Sequence, residues 1–177
     1  MHRRLRHEAG FGLIELLMAM TILNVGILAV VAAFNSGIVT LRRSSMTATA
    51  SVLADKQMEL YRSLTYGAIA LDPSSIPSTT PYTSDSAYSS TQVTTTCTTP
   101  LPAQCNASQT ISGPDHHSYR VDTYIVDDHP AGSAGRTLRR VTVVVRDGRH
   151  LANVLARSTS TFDCSTALPY APGCPTS

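Results

Sequence analysis

The chain has 177 residues, 42% hydrophobic and 15% charged, with a formal net charge of +2. Its 14 basic residues are nearly balanced by 12 acidic ones, which argues against a strongly basic nucleic-acid binder. A uniform soluble globule is excluded by the distribution. From Phe11 to Leu41, 22 of 31 residues are apolar, whereas Pro73 to Ser112 holds 19 Ser or Thr among 40 residues and a single charge, Asp85.

The first ten residues read MHRRLRHEAG. Arg3, Arg4 and Arg6 against Glu8 give this decapeptide a charge of +2, the whole formal charge of the chain. A basic stretch ahead of an apolar run stays on the cytoplasmic side and sends the following chain outward. The run that follows has no charged residue over the 26 positions from Leu16 to Leu41. As a helix rising ~1.5 Å per residue it reaches ~39 Å, enough to cross a hydrocarbon core of ~30 Å. Arg42 and Arg43 close the segment, and their long side chains reach the outer interface.

Three readings compete for this amino terminus. A cleaved secretory signal peptide, cut before Phe34, is disfavoured because the apolar stretch is too long and carries Glu15 near its start. A plain uncleaved signal anchor accounts for everything except Gly10, Phe11 and Glu15. A carboxylate in an apolar helix costs about 2.5 kcal/mol or more at the bilayer centre, and less towards the helix end, where it can snorkel. The third reading takes those three residues together. The stretch Gly10-Phe11-Gly12-Leu13-Ile14-Glu15-Leu16 resembles the cleavage and methylation motif of type IV prepilins and type II secretion pseudopilins.

That resemblance implies cleavage after Gly10 by a membrane aspartyl prepilin peptidase, N-methylation of Phe11, and a role for Glu15 in filament assembly. The chemistry agrees with it. Cleavage frees an ammonium on Phe11 one helical turn from Glu15, at i and i+4, so that the two charges can pair within a chain or between neighbours. Gly12 departs from the commoner Thr or Ser, and no proline interrupts the apolar helix.

The helical pattern continues past Arg43. Met46, Ala50, Leu53, Leu60 and Leu64 recur at helical spacing, widened by Ala54, Met58 and Tyr61, with Asp55, Lys56, Glu59 and Arg62 as a polar face. This stripe is expected to pack a core. Gly67 and Pro73 end the pattern, so one helix is expected from Phe11 to about Leu64. The stretch QMELYRSL is similar to the corresponding helix of PilV-like minor pilins and pseudopilin I proteins.

The Ser/Thr-rich segment has no clear period, and its five prolines favour loops and turns. Asn106-Ala107-Ser108 fits the N-glycosylation pattern, and the Ser/Thr density permits O-glycosylation. Strand signals follow. Tyr119, Val121, Thr123 and Ile125 alternate on one face, as do Val141, Val143 and Val145, and Leu151–Ser158 returns. Asp147-Gly148 is a hairpin signal. A two-residue loop there sets Arg146 opposite Arg149, Val143 opposite Ala152 and Val141 opposite Val154. The like-charged pair disfavours that register, which leaves a longer loop open.

Four cysteines fall in two close pairs, Cys97 with Cys105 and Cys164 with Cys174. An outward head meets oxidising conditions, so disulfides are expected. Three connectivities are possible, and proximity favours the sequential one.

Catalytic signals are poor. Asp115, His116, His117 and His129, near Asp127 and Asp128, match no ligand spacing and read as solvated loop residues. There is no GxSxG, P-loop or HExxH. Arg120, Arg136, Arg139, Arg140, Arg146, Arg149 and Arg157 read as a solvated sheet face, with nucleic acid disfavoured as a partner.

The expectation is an α+β protein with a long N-terminal helix whose second half packs on a small antiparallel sheet. The segments are a leader (1–10), a membrane or filament-core helix (11–41), its amphipathic continuation (42–66), a connecting loop (67–118), and a sheet with a disulfide-bounded terminal loop (119–177). The resemblance implies a minor pilin or pseudopilin, not an enzyme, with no cofactor and no metal. Its partners would be prepilin peptidase, other pilin or pseudopilin subunits, the inner-membrane assembly platform and, before assembly, membrane lipid. The leader would be cytoplasmic and the head periplasmic or extracellular. The alternative is a single-pass, signal-anchored extracellular binding protein that forms no filament.

Overall fold

A computed structural model describes residues 12–128 and 138–164. The chain divides into two compact units at Ser44/Ser45. One helix, α1, runs from Leu13 to Arg62 and contributes to both.

In the first unit every side chain of the apolar run is exposed. The hydroxyls in or beside that run do not burden it. Thr21 donates to the Met18 carbonyl at 2.8 Å and Thr40 to the Ser36 carbonyl at 3.0 Å. Returning the hydroxyl to the helix's own backbone leaves the surface apolar and the polar group satisfied.

In the second unit α1 packs on a four-stranded antiparallel sheet in the order β1-β2-β3-β4: Ser108–Ser112, Ser118–Asp128, Leu138–Asp147 and Val154–Asp163. The helix buries Ala50, Ala54, Gln57, Met58 and Tyr61, a stripe at i, i+4, i+7, i+8 and i+11. Leu53 and Leu64 sit at its margin, only partly buried. Ala50, Ala54, Met58 and Tyr61 share one buried cluster with the side chains of β2 and β3. The helix-facing side of the sheet carries Tyr119, Val121, Thr123 and Ile125 of β2. Opposite them in register stand Val145, Val143 and Val141 of β3, facing Val121, Thr123 and Ile125 in turn.

The other face of β2 and β3 is buried as well, so residues 121–126 and 141–147 are continuously inside. The cover is the Ser/Thr-rich connector, which is not a structureless loop. It bridges Leu71 to Thr94. It then lies along the edge of β2, where the Val93 amide donates to the Ile125 carbonyl at 2.9 Å and the Ile125 amide to Gln92 at 3.0 Å. On the outer face Tyr82 stacks on Tyr124, with ring centroids 4.4 Å apart. The Tyr82 hydroxyl donates to the Thr123 carbonyl at 2.7 Å. Burial drives the Tyr82 and Tyr124 hydroxyl pKa values far up, so both remain neutral donors.

One expectation is corrected here, and of the two β3–β4 loops left open the longer one forms. The connector ends in a strand, because β1 forms at Ser108–Ser112 by pairing with Ser118–Asp122. The β3–β4 turn is not a two-residue hairpin. Arg146 stands opposite Val154, Val143 opposite Ser158 and Val141 opposite Ser160, with a bulge between Val145 and Arg146. Leu151 and Ala152 therefore belong to the loop, and Val154 is exposed instead of packing on the helix. Gly148 explains the difference. Its amide donates to the Ser118 carbonyl at 2.8 Å, and a Cβ there would sit 2.5 Å from that oxygen. The glycine is needed for close approach to β2, not for a tight turn.

Candidate functional site

Glu15 lies in the first turn of α1, and the Gly12 carbonyl accepts the Glu15 amide at 2.9 Å and the Leu16 amide at 3.3 Å. The expected cleavage and methylation positions, Gly10 and Phe11, lie outside the described residues. Beyond Glu15 the helix presents Leu16, Leu17, Met20, Ile27 and Val31 at 51–54% exposure and Ile22, Leu28, Phe34 and Leu41 at 69–73%. At Gly26, where an added Cβ would meet nothing within 4 Å, Ile22, Leu23, Ile27, Val30 and Val31 frame an apolar notch. This helix is long and apolar enough to cross a membrane.

Arg140, Arg149 and Arg157 are exposed, as a solvated face requires, but Arg139 and Arg146 are buried and Arg120 is partly so. Arg146, with a side chain 4% exposed, reaches two carboxylates: Asp122 at 3.1 Å and Asp85 of the connector. Asp122 also receives Arg120 at 2.8 Å and the Ser108 hydroxyl at 2.7 Å. Asp85 also receives Arg157 at 2.8 Å. Arg120 and Arg146 stand directly opposite each other in β2 and β3, a repulsive placement made tolerable by the Asp122 carboxylate between them. Arg139 pairs with Asp127 at 2.8 Å, donates to the Tyr66 and Ile69 carbonyls and stacks over the Tyr66 ring. Arg140 pairs with Asp128 at 3.0 Å. The network fastens the connector and the helix end to the sheet. Arg136 lies outside the described residues.

The Asp/His group divides. Asp127 and Asp128 are taken by arginines, whereas His117 Nε2 lies 2.9 Å from Asp147 Oδ1, and His150 approaches the same carboxylate at 3.4 Å. The Tyr119 hydroxyl donates to Asp115 at 2.5 Å. Burial and the Asp115 charge push that hydroxyl up to about 12. These bonds fasten the β1–β2 turn to the β3–β4 loop. Among the described residues no group of three or more metal-ligating side chains is placed to hold a metal ion. His129 lies outside them.

Cys97 and Cys105 are joined in a disulfide. Asp72 holds both ends of that loop: its carboxylate accepts the Cys97 amide at 2.9 Å, and its own amide donates to the Cys105 carbonyl at 2.8 Å. Cys164 is also disulfide-bonded. Its expected partner, Cys174, lies outside the described residues.

Four carboxyls are held below the ordinary value, Asp115 chiefly by the Tyr119 hydroxyl. The Ser74 hydroxyl and the Cys97 amide do this for Asp72. At Asp85 burial pushes upward but is outweighed by the Ala87 amide and by Arg157 and Arg146. At Asp147 burial is again outweighed, by the Arg149 amide and the two histidines. A carboxyl whose folded pKa is depressed leaves the unfolded chain holding more protons in acid. Its stabilisation is complete above the unfolded pKa and is lost as pH falls through the folded one. The head's melting temperature should therefore fall as the pH drops through and below the ordinary carboxyl value of 3.8. Asp85→Asn should start lower and show a shallower acid slope. An unchanged slope in the variant would remove Asp85 from the titration.

Residues 5–31 match the family model for the prokaryotic N-terminal methylation motif. The chain thus carries a type IV prepilin-like leader, and the long apolar helix packed on a four-stranded antiparallel sheet is a pilin-like α+β fold. The motif supports a type IV pilin-like protein, a structural subunit, and implies processing by prepilin peptidase and assembly with other pilins. The apolar helix fits a single-pass membrane anchor. No curated protein and no solved structure matches the chain.

Proposed function

We propose that this protein is a minor pilin or pseudopilin, a subunit of a type IV pilus or a type II secretion pseudopilus. The observation that carries the reading is the joining of the methylation motif to a helix whose apolar side chains from Leu13 to Leu41 are all exposed in the isolated chain. Such a surface is stable in lipid before assembly and against neighbouring helices afterwards. Prepilin peptidase would cut after Gly10, and Phe11 would be N-methylated. Its ammonium and Glu15 would then set the register between subunits drawn from the inner membrane by the assembly platform. The head, with one edge of its sheet covered by the connector, would form the outer surface.

Intact mass of the membrane-derived protein tests this. The expected product lacks Met1–Gly10 and carries one added methyl on Phe11. Recovery of the full-length chain from cells with an active prepilin peptidase would instead favour the single-pass, signal-anchored binding protein.

A further inference from the structure

The hydroxyl residues of the connector differ in how the fold uses them, and many, Ser78, Thr79 and Thr80 among them, are exposed. The hydroxyls of Ser74, Ser75, Ser89, Thr91 and Ser108 are built into the fold by hydrogen bonds. Thr94, Thr95, Thr96, Thr98 and Thr99, which flank Cys97, are all exposed. None of their hydroxyls donates or accepts a hydrogen bond within the described residues. The backbone beneath them is nonetheless fixed. The Thr95 amide donates to the Leu71 carbonyl at 2.9 Å, the Cys97 amide to Asp72 at 2.9 Å, and Cys97 is bonded to Cys105. The threonines are thus held outward on a stapled loop, with β-branched side chains that have few rotamers to lose.

Charge sharpens the contrast. Asp85 is the one charged residue between Pro73 and Ser112, and its side chain is 3% exposed against Arg146. Asp72, just before the segment, is buried under the same loop. The outer surface of the connector is therefore hydroxylic and free of carboxylates, so it does not repel an anionic donor. A Ser/Thr tract with prolines whose hydroxyls take no part in the fold has the chemistry of an O-glycan acceptor.

We propose that Thr94, Thr95, Thr96, Thr98 and Thr99 form an O-glycosylation site. The co-reactant is a sugar activated as a nucleotide- or lipid-linked diphosphate. A threonine Oγ forms the bond to the anomeric carbon, the bond from that carbon to the diphosphate oxygen breaks, and the hydroxyl proton passes to the transferase's base. The diphosphate leaves with the bonding pair. Nothing in the core must move, since these side chains face solvent. Asn106 is a poorer acceptor. Its Oδ1 accepts the Ser108 amide, Ala107 is fully buried, and the Ser108 hydroxyl is engaged by Asp122 and Arg120.

The chain has no Lys or Arg between Ser63 and Arg120, so trypsin releases the whole connector as one peptide. Protein purified from the cells that produce it should yield this peptide heavier by whole sugar residues. Fragmentation should place the excess on Thr94–Thr99, and alkaline β-elimination should remove it. The quintuple variant T94A/T95A/T96A/T98A/T99A should lose the excess and retain the Cys97–Cys105 disulfide. An unmodified wild-type peptide, or an excess on Asn106 alone, would overturn the proposal. The same digest reads the mass of the Phe11 peptide, so failure here is distinguishable from failure of the subunit assignment.

Discussion

Replacing Glu15 by alanine is expected to leave the leader cut and Phe11 methylated while abolishing incorporation into a filament. The proposed cut, between Gly10 and Phe11, precedes α1, which starts at Leu13, so the carboxylate is not expected to be needed for it. Assembly differs, because it moves the first turn of the helix among other apolar helices. There the new ammonium on Phe11 requires a counter-charge. Removing one partner of a buried ion pair costs about 3–5 kcal/mol, or roughly a hundredfold to several thousandfold in each subunit contact at about 1.4 kcal/mol per factor of ten. Glu15→Gln keeps the shape and loses the charge, and should fail nearly as completely. Glu15→Asp keeps the charge on a shorter arm and should recover part of the incorporation. The measurement is the ratio of processed protein in sheared filaments to that in the membrane. Normal incorporation of the alanine variant would remove Glu15 from assembly and leave it as a snorkelling residue.

The parts of the molecule legible in its sequence are those decided by local pattern. The membrane-grade helix is one, because length, apolarity and flanking arginines act over contiguous residues. The cores of β2 and β3 are another, because Val121 to Ile125 and Val141 to Val145 alternate with the period of a strand. Illegible parts depend on partners far away in the chain. Ser108–Ser112 has no strand signature of its own and becomes β1 only by pairing with Ser118–Asp122. Asp147-Gly148 carries the signature of a tight hairpin, but the contact of Gly148 with Ser118 fixes a different loop. Alternation also suggested one buried face for β2. The second face is buried because Tyr82 and Asp85, some 40 residues from Tyr124 and 61 from Arg146, return across it. Nothing in the spacing of the arginines reveals that Asp85, the lone charge of a polar segment, is their shared partner. At the amino terminus the motif and the helix are both readable, since each rests on contiguous residues.

Arg146→Ala should be the most damaging single change in the head. The side chain is buried and bridges Asp122 of β2 to Asp85 of the connector. Its loss leaves the Asp122 carboxylate to Arg120 and Ser108, and the Asp85 carboxylate to Arg157 at the rim. Two carboxylates with side chains 0% and 3% exposed would then share too little positive charge in a site that water does not reach. The cost of breaking a buried pair is about 3–5 kcal/mol, which lowers the melting temperature by roughly 10–20 °C for a head of this size. Arg157→Ala is the matched comparison. It pairs with the same Asp85, but its side chain is 36% exposed, and an exposed pair contributes about 1 kcal/mol or less. Combining Arg146→Met with Asp85→Asn and Asp122→Asn should recover part of the loss, because it removes the orphaned charges together with the cation. Thermal unfolding of the full chain in detergent, followed by the near-ultraviolet signal of the buried tyrosines, reads all three. Equal effects of Arg146→Ala and Arg157→Ala would show that the connector is held by Tyr82 stacking and backbone pairing alone, with the buried ion network contributing little.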